Sequence, residues 1–145
     1  MYYLKSEESF DSAHFLANYE GKCKNIHGHR WRVQVEIMEG LLHTGNHLDG
    51  MVVDFRTLKR DLKKVVEGLD HALIIEKGSL KPSTLSALRE EGFCVAELDF
   101  RPTAERLAKY FFDQMAGSGY RVKSVTVFET PNNCASYEEN PNDKI

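Results

Sequence analysis

Cys23-Lys24-Asn25-Ile26-His27-Gly28-His29-Arg30-Trp31-Arg32-Val33-Gln34-Val35-Glu36-Ile37 is the stretch whose reading decides the fold. From Arg30 onward, basic or polar residues alternate with Trp31, Val33, Val35 and Ile37, the period-two pattern of a strand with one buried face. His27 and His29 share the parity of that apolar set. Residues two apart leave the same face of a strand with Cα atoms roughly 6.6–6.8 Å apart, so both imidazoles can lean onto one cation above the sheet. Gly28 adds no bulk between them. Val or Ile would pack better on an inward strip, so the pair is expected to bind a metal rather than fill a core.

Upstream, Phe10-Asp11-Ser12-Ala13-His14-Phe15-Leu16 supplies a third imidazole. A first strand from about Tyr3 to Phe15 and a second from His27 to Met38, joined through residues 17–26, form an antiparallel hairpin that brings His14 beside His27 and His29. Three neutral imidazoles suit zinc. Three protein ligands with an open position mark a catalytic site, and four closed ligands a structural one. Cys23 leaves both readings open: it is either a fourth ligand or a thiolate standing off the ion to move protons. His43 and His47, in a polar loop with glycines, read as bystanders.

Beyond the hairpin, the Gly-, Asn- and Asp-rich loop 43–50 leads to Met51-Val52-Val53 and then to Asp54, a natural helix cap. Leu58, Leu62, Val65, Val66 and Leu69 follow at helical spacing, with Lys59, Arg60, Lys63 and Lys64 outside and Gly68 where the helix should stop. Asp70 and His71 come next, and adjacency alone fits a polar pair at a helix end. Residues 82–92 predict a short helix through Leu85 and Leu88, and 93–100 an extended run, so that the segment from Ile74 to Phe100 elaborates the connection between two long helices. Thr103 caps the second of these, Glu105 suits its first turn, Leu107, Phe111 and Met115 form its apolar stripe, and Gly117 and Gly119 end it. Val122 to Glu129 reads as a strand, Pro131-Asn132-Asn133 as a turn, Ala135-Ser136-Tyr137 as a returning strand, and Glu138 to Ile145 as a frayed tail. Glu129 closes an apolar strand. It is either a sheet-end residue in water or an acceptor for a ligand with adjacent N–H groups.

The chain has 145 residues and 41% hydrophobic content, which predicts one domain, 1–145, with a sizeable core. A formal charge of −3 argues against a general nucleic-acid or membrane surface. The N-terminus lacks the apolar core of a signal peptide, and no run approaches the roughly 18 apolar residues of a membrane span, so a cytoplasmic location is expected. Three irregularly spaced cysteines make no disulfide framework and suit a reducing compartment. Cys94 is expected to be a small buried apolar residue; Cys134 has no assignment.

Taken in order, Phe-Asp-Ser-Ala-His14, Cys23-x-x-x-His27-Gly-His29, Gly50-Met-Val-Val-Asp54-Phe, Leu69-Asp70-His71, Pro102-Thr103-Ala-Glu105 and Phe128-Glu129-Thr130 resemble the 6-pyruvoyl- and 6-carboxy-tetrahydropterin synthase family over nearly the whole chain. The compact length and the motifs look more like the bacterial 6-carboxy branch of queuosine biosynthesis. The resemblance implies an α+β tunnelling fold: a four-stranded antiparallel sheet carrying two long helices on one face, with sheets joined between subunits into a barrel. It further implies a homohexamer of two stacked trimers with active sites between subunits. His14, His27 and His29 would hold zinc, Cys23 would be the base, Asp70 and His71 a second proton-handling unit, and Glu129, with Thr103, the anchor of the pterin's amino-pyrimidinone edge. The implied reaction takes 7,8-dihydroneopterin triphosphate to 6-carboxy-5,6,7,8-tetrahydropterin, releasing acetaldehyde and triphosphate. The rival on the same scaffold is the 6-pyruvoyl chemistry, without side-chain cleavage; a non-catalytic zinc module and a direct tRNA binder are the rivals from other classes. Lys22, Lys24, Arg30 and Arg32 lie near the loop that triphosphate would approach and read as a solvated face. The segment from Ile74 to Phe100 is longer than the shortest family members need and is expected to shape a pocket mouth or an interface.

Overall fold

In the computed structural model, which describes residues 1–143, strands β1 (Tyr2–His14) and β2 (His27–Glu39) form the expected antiparallel hairpin. Its register places His14 opposite His27, Ser12 opposite His29 and Phe10 opposite Trp31. Helix α1 (Phe55–Glu67) follows, with the Asp54 carboxylate accepting from the Arg56 N–H as its cap. Helix α3 (Ala104–Gly117) is capped by Thr103, whose Oγ1 accepts from the Arg106 N–H. Strands β5 (Val122–Thr130) and β6 (Asn133–Tyr137) complete a four-stranded antiparallel unit in the order β1-β2-β5-β6.

The sheet is wider than that unit. The elaboration between the long helices holds the expected short helix, α2 (Pro82–Glu90), and extended run, β4 (Val95–Leu98), and adds a strand that was not expected, β3 (Leu73–Glu76); together they make a strand-helix-strand crossover whose two strands pair in parallel. This gives a six-stranded sheet, β4-β3-β1-β2-β5-β6, with β3 parallel to β1. A three-residue apolar run such as Leu73-Ile74-Ile75 has no period of its own, and only the neighbouring β1 backbone makes it a strand.

The core lies between the inward face of the sheet and helices α1 and α3. Phe10, Trp31, Val33, Val35, Val125 and Val127 meet Leu58 and Leu62 of α1 and Leu107, Phe111 and Met115 of α3, all of them buried. Phe10 stacks on Trp31 with ring centroids 5.9 Å apart and meets Phe111 edge-on at 5.8 Å. The period of two thus runs apolar residues up to the end of the sheet where the histidines take over their places.

Several boundaries move. Phe15 lies outside β1, and Gly68 closes α1 in a right-handed conformation, φ −63°. The left-handed conformation falls instead on His71, φ 55°, where the chain turns from α1 toward β3. Cys94 is exposed, because it precedes β4 at the open mouth of a surface cavity rather than facing the core. The tail includes a single turn of 3-10 helix, Pro141–Asp143, and the remainder expected to fray, 144–145, lies outside the described residues. Among the described residues, no helix is long and apolar enough to cross a membrane.

Candidate active site

His14, His27 and His29 converge. Register puts the first two face to face across the hairpin, and parity puts the third beside them; the ring centroids lie 4.5 to 5.2 Å apart. Glu129, on the same inward parity of β5 as Val125 and Val127, brings its carboxylate to the same point. Its Oε1 lies 2.8 Å from His29 Nε2 and 3.6 Å from His14 Nε2. The four side chains offer ligand atoms all within 4.8 Å of one another.

The tautomers are set from behind. His14 Nδ1 is 2.9 Å from the Pro102 carbonyl and His27 Nδ1 is 2.7 Å from the Asn25 carbonyl, so each ring donates from Nδ1 and turns the lone pair of Nε2 inward. The Nε2 atoms of all three histidines are buried, and none makes an aligned hydrogen bond. Burial is the main reason that His14 and His29 have pKa values below the usual histidine value, with the Pro102 carbonyl opposing the shift in His14 and the Glu129 carboxylate opposing it in His29. The inward Nε2 lone pairs of His14 and His27, with His29 Nε2 and the Glu129 carboxylate beside them, make a donor set that suits a divalent ion. This fits a resident metal.

Cys23 sits outside the cluster, on a single 3-10 turn, Lys22–Lys24, held by the Lys24 N–H to Gly21 and Leu16 N–H to Cys23 carbonyl bonds. It lines a cavity of about 430 Å³ together with His14, Arg101, Thr103 and Glu129. Cys134, without assignment in the sequence, lines it too.

Asp70 and His71 pair on a different surface. Asp70 Oδ1 is 3.0 Å from His71 Nδ1 and also accepts from the Asp11 N–H at 3.0 Å, while the His71 N–H donates to the Asp11 carbonyl at 2.7 Å. The backbone of β1 therefore holds the turn from both sides. Ser12, buried between Phe10 and His14, adds hydroxyl contacts to the Asp11 and Leu69 carbonyls. The Asp11 N–H foremost, with His71 beside it, keeps the Asp70 carboxyl below the usual carboxylate range. The His71 side chain is 78% exposed and lines a cavity of about 680 Å³ on the outer face of the sheet, with Arg30, Leu88 and Phe93. Cys23 and His71 thus line separate cavities, and His29 borders the one that His71 lines.

Sequence reasoning missed the backbone acceptors that orient His14 and His27, because the Pro102 and Asn25 carbonyls carry no residue-type signal. It also missed Arg101, whose only hint was a cation directly ahead of the Pro102-Thr103 cap.

A family model described as 6-pyruvoyl tetrahydropterin synthase matches residues 3–140. The chain belongs to this family. Among named relatives, the 6-carboxy-5,6,7,8-tetrahydropterin synthase of Haemophilus influenzae is 34% identical over 142 residues, covering 96% of this chain and 100% of its own. A putative 6-carboxy-5,6,7,8-tetrahydropterin synthase of Pyrococcus horikoshii is 36% identical over 143 residues, covering 88% and 84%. An uncharacterised protein of Wolinella succinogenes shares the fold at TM-score 0.79 and 22% identity, over 96% of this chain and 98% of its own. The 6-pyruvoyl tetrahydropterin synthase of Caenorhabditis elegans does so at TM-score 0.66 and 24% identity, over 96% of each.

Proposed function

We propose that this chain is a zinc-dependent lyase, a 6-carboxy-5,6,7,8-tetrahydropterin synthase of queuosine biosynthesis. It takes 7,8-dihydroneopterin triphosphate to 6-carboxy-5,6,7,8-tetrahydropterin and releases acetaldehyde and triphosphate. The observation that carries the reading is the convergence of three buried Nε2 atoms and the Glu129 carboxylate on one point, beside a cavity that His14, Glu129 and the Cys23 thiol line. The relatives at 34% and 36% identity carry the 6-carboxy name, which favours that branch over the 6-pyruvoyl one.

His14, His27 and His29 would hold the ion, and a bound zinc supplies Lewis-acid polarisation of the substrate's side chain. The remaining work belongs to the protein. Glu129 accepts the paired N–H groups of the pterin's amino-pyrimidinone edge on its two oxygens. Thr103 uses an Oγ1 lone pair to cap α3, which leaves its hydroxyl hydrogen free for the ligand. The Cys23 thiolate takes a side-chain proton within the same cavity. Asp70, held ionised by the Asp11 N–H, fixes the His71 Nδ1–H, so that His71 Nε2 takes or returns the second proton.

Because His71 and Cys23 line different cavities, a site using both is completed by a second copy of the chain, in keeping with a homohexamer of stacked trimers. The test is product analysis: the zinc-loaded protein is incubated with 7,8-dihydroneopterin triphosphate and acetaldehyde is assayed. Acetaldehyde in step with triphosphate is the expected result. Triphosphate without acetaldehyde moves the chain to the 6-pyruvoyl branch, and no turnover overturns the reading.

A further inference from the structure

Arg101 carries a charge that no carboxylate among the described residues pairs with. Its Nε is buried and has no hydrogen-bond partner, and among the described residues its guanidinium makes no ion pair. The ring of Tyr19 lies 5.5 Å from the guanidinium carbon, within cation–π range. A guanidinium stays ionised, so burying part of it without an acceptor is costly. Most other arginines here have carboxylates: Arg30 with Asp11, Arg32 with Glu7, Arg56 with Asp54, Arg60 with Asp61 and Arg89 with Glu97.

The position of this cation gives it meaning. Arg101 lines the cavity of about 430 Å³ that also contains His14, Cys23, Thr103 and Glu129. Thr103 and Ala104 bring the N-terminus of the fourteen-residue α3 to the same wall, where the first N–H groups of a helix favour negative charge. The cavity's carboxylates, Glu105 and Glu129, leave the guanidinium unpaired.

We propose that Arg101 is the receptor for an oxyanionic group of the pterin ligand, its planar fork donating two parallel N–H···O bonds to a phosphate or a carboxylate. Two sources carry that chemistry: the triphosphate of the substrate and the carboxylate of the product. The proposal rests on the reading of this cavity as a pterin site.

The test measures binding rather than turnover. Wild-type, Arg101→Gln and Arg101→Lys proteins, all zinc-loaded and matched for circular dichroism, are titrated with inorganic triphosphate, 6-carboxypterin and unsubstituted pterin. The expected result is a roughly ten- to hundred-fold loss of affinity in Arg101→Gln for one oxyanionic probe, with unsubstituted pterin unaffected and Arg101→Lys falling between. Loss for inorganic triphosphate assigns the phosphate, and loss for 6-carboxypterin assigns the carboxylate. Equal affinities of wild-type and Arg101→Gln for both oxyanions overturn the proposal while leaving the pterin reading intact, provided unsubstituted pterin binds. Failure of every pterin to bind wild-type protein overturns the pterin reading, and sensitivity to inorganic triphosphate then decides Arg101 on its own.

Discussion

Removing one imaginary scaffold strut tells more about the histidine cluster than removing the ion alone, and His27→Ala is the substitution to make. His27 is partly exposed, and in the metal-free protein its ring contributes one aligned hydrogen bond, to the Asn25 carbonyl, worth about 1 kcal/mol. Zinc at roughly a thousandfold excess over its dissociation constant stabilises the native state by about 4 kcal/mol. With an unfolding entropy of about 0.3 kcal/mol/K for a chain of 145 residues, that is a rise in Tm of about 13 °C. The wild-type difference between zinc-loaded and chelator-treated protein in differential scanning calorimetry should be of that order. In His27→Ala the chelator-treated Tm should fall by only about 3 °C, whereas the zinc-induced rise should shrink to a small fraction. A zinc-induced rise of equal size in both proteins would refute the assignment of the ion to these imidazoles.

Cys23→Ala should retain its full metal content by plasma emission spectrometry while losing turnover; loss of the metal would make the thiol a ligand and the site a closed one. Mixed oligomers of Cys23→Ala and Asp70→Asn, reassembled from separately inactive proteins, should recover activity, and a mixture as inactive as its parents would place thiol and dyad in one chain's site. Tyr120 donates to Asp61 at 2.7 Å; burial, and then this bond, push its pKa up to about 12, and Asp61 is held below the usual carboxylate value, chiefly by the same bond. Tyr120→Phe should therefore cost about 1–2 kcal/mol in urea unfolding at neutral pH. Because the folded-state pKa of Asp61 is depressed, that difference is present above the unfolded value and should narrow as pH falls through the folded one; a pH-independent loss would show it to be packing alone. Phe111→Ala, at the fully buried contact with Phe10, should cost about 3–5 kcal/mol by the same measurement.

What could be read from the sequence was whatever repeats with a fixed period. The alternation from Trp31 to Ile37 gave the strand, its face and the company of His27 and His29; the spacing from Leu58 to Val66 and from Leu107 to Met115 gave the helices, with Asp54 and Thr103 at their starts, while Leu69 of the same stripe falls just past the end of α1. Long-range pairing of short elements stayed hidden: β3 exists because Ala13 and His14 offer it a backbone edge, and β4 because β3 does. The site divided the same way. Imidazoles announce themselves by residue type, but the Pro102 carbonyl that orients His14 lies 88 residues away, and Arg101 stands out only because its buried Nε has no hydrogen-bond partner among the described residues.

One consequence of β1 concerns insertions and deletions. Its even-numbered residues Phe10, Ser12 and His14 serve the interior, while the backbone of Asp11 between them grips the turn bearing His71. Adding or deleting a single residue within 10–14 would turn the imidazole of His14 to the outside and carry the grip on that turn one position along. Homologues should therefore vary in length in the Gly40 to Gly50 loop, and keep the distance from Phe10 to His14 constant.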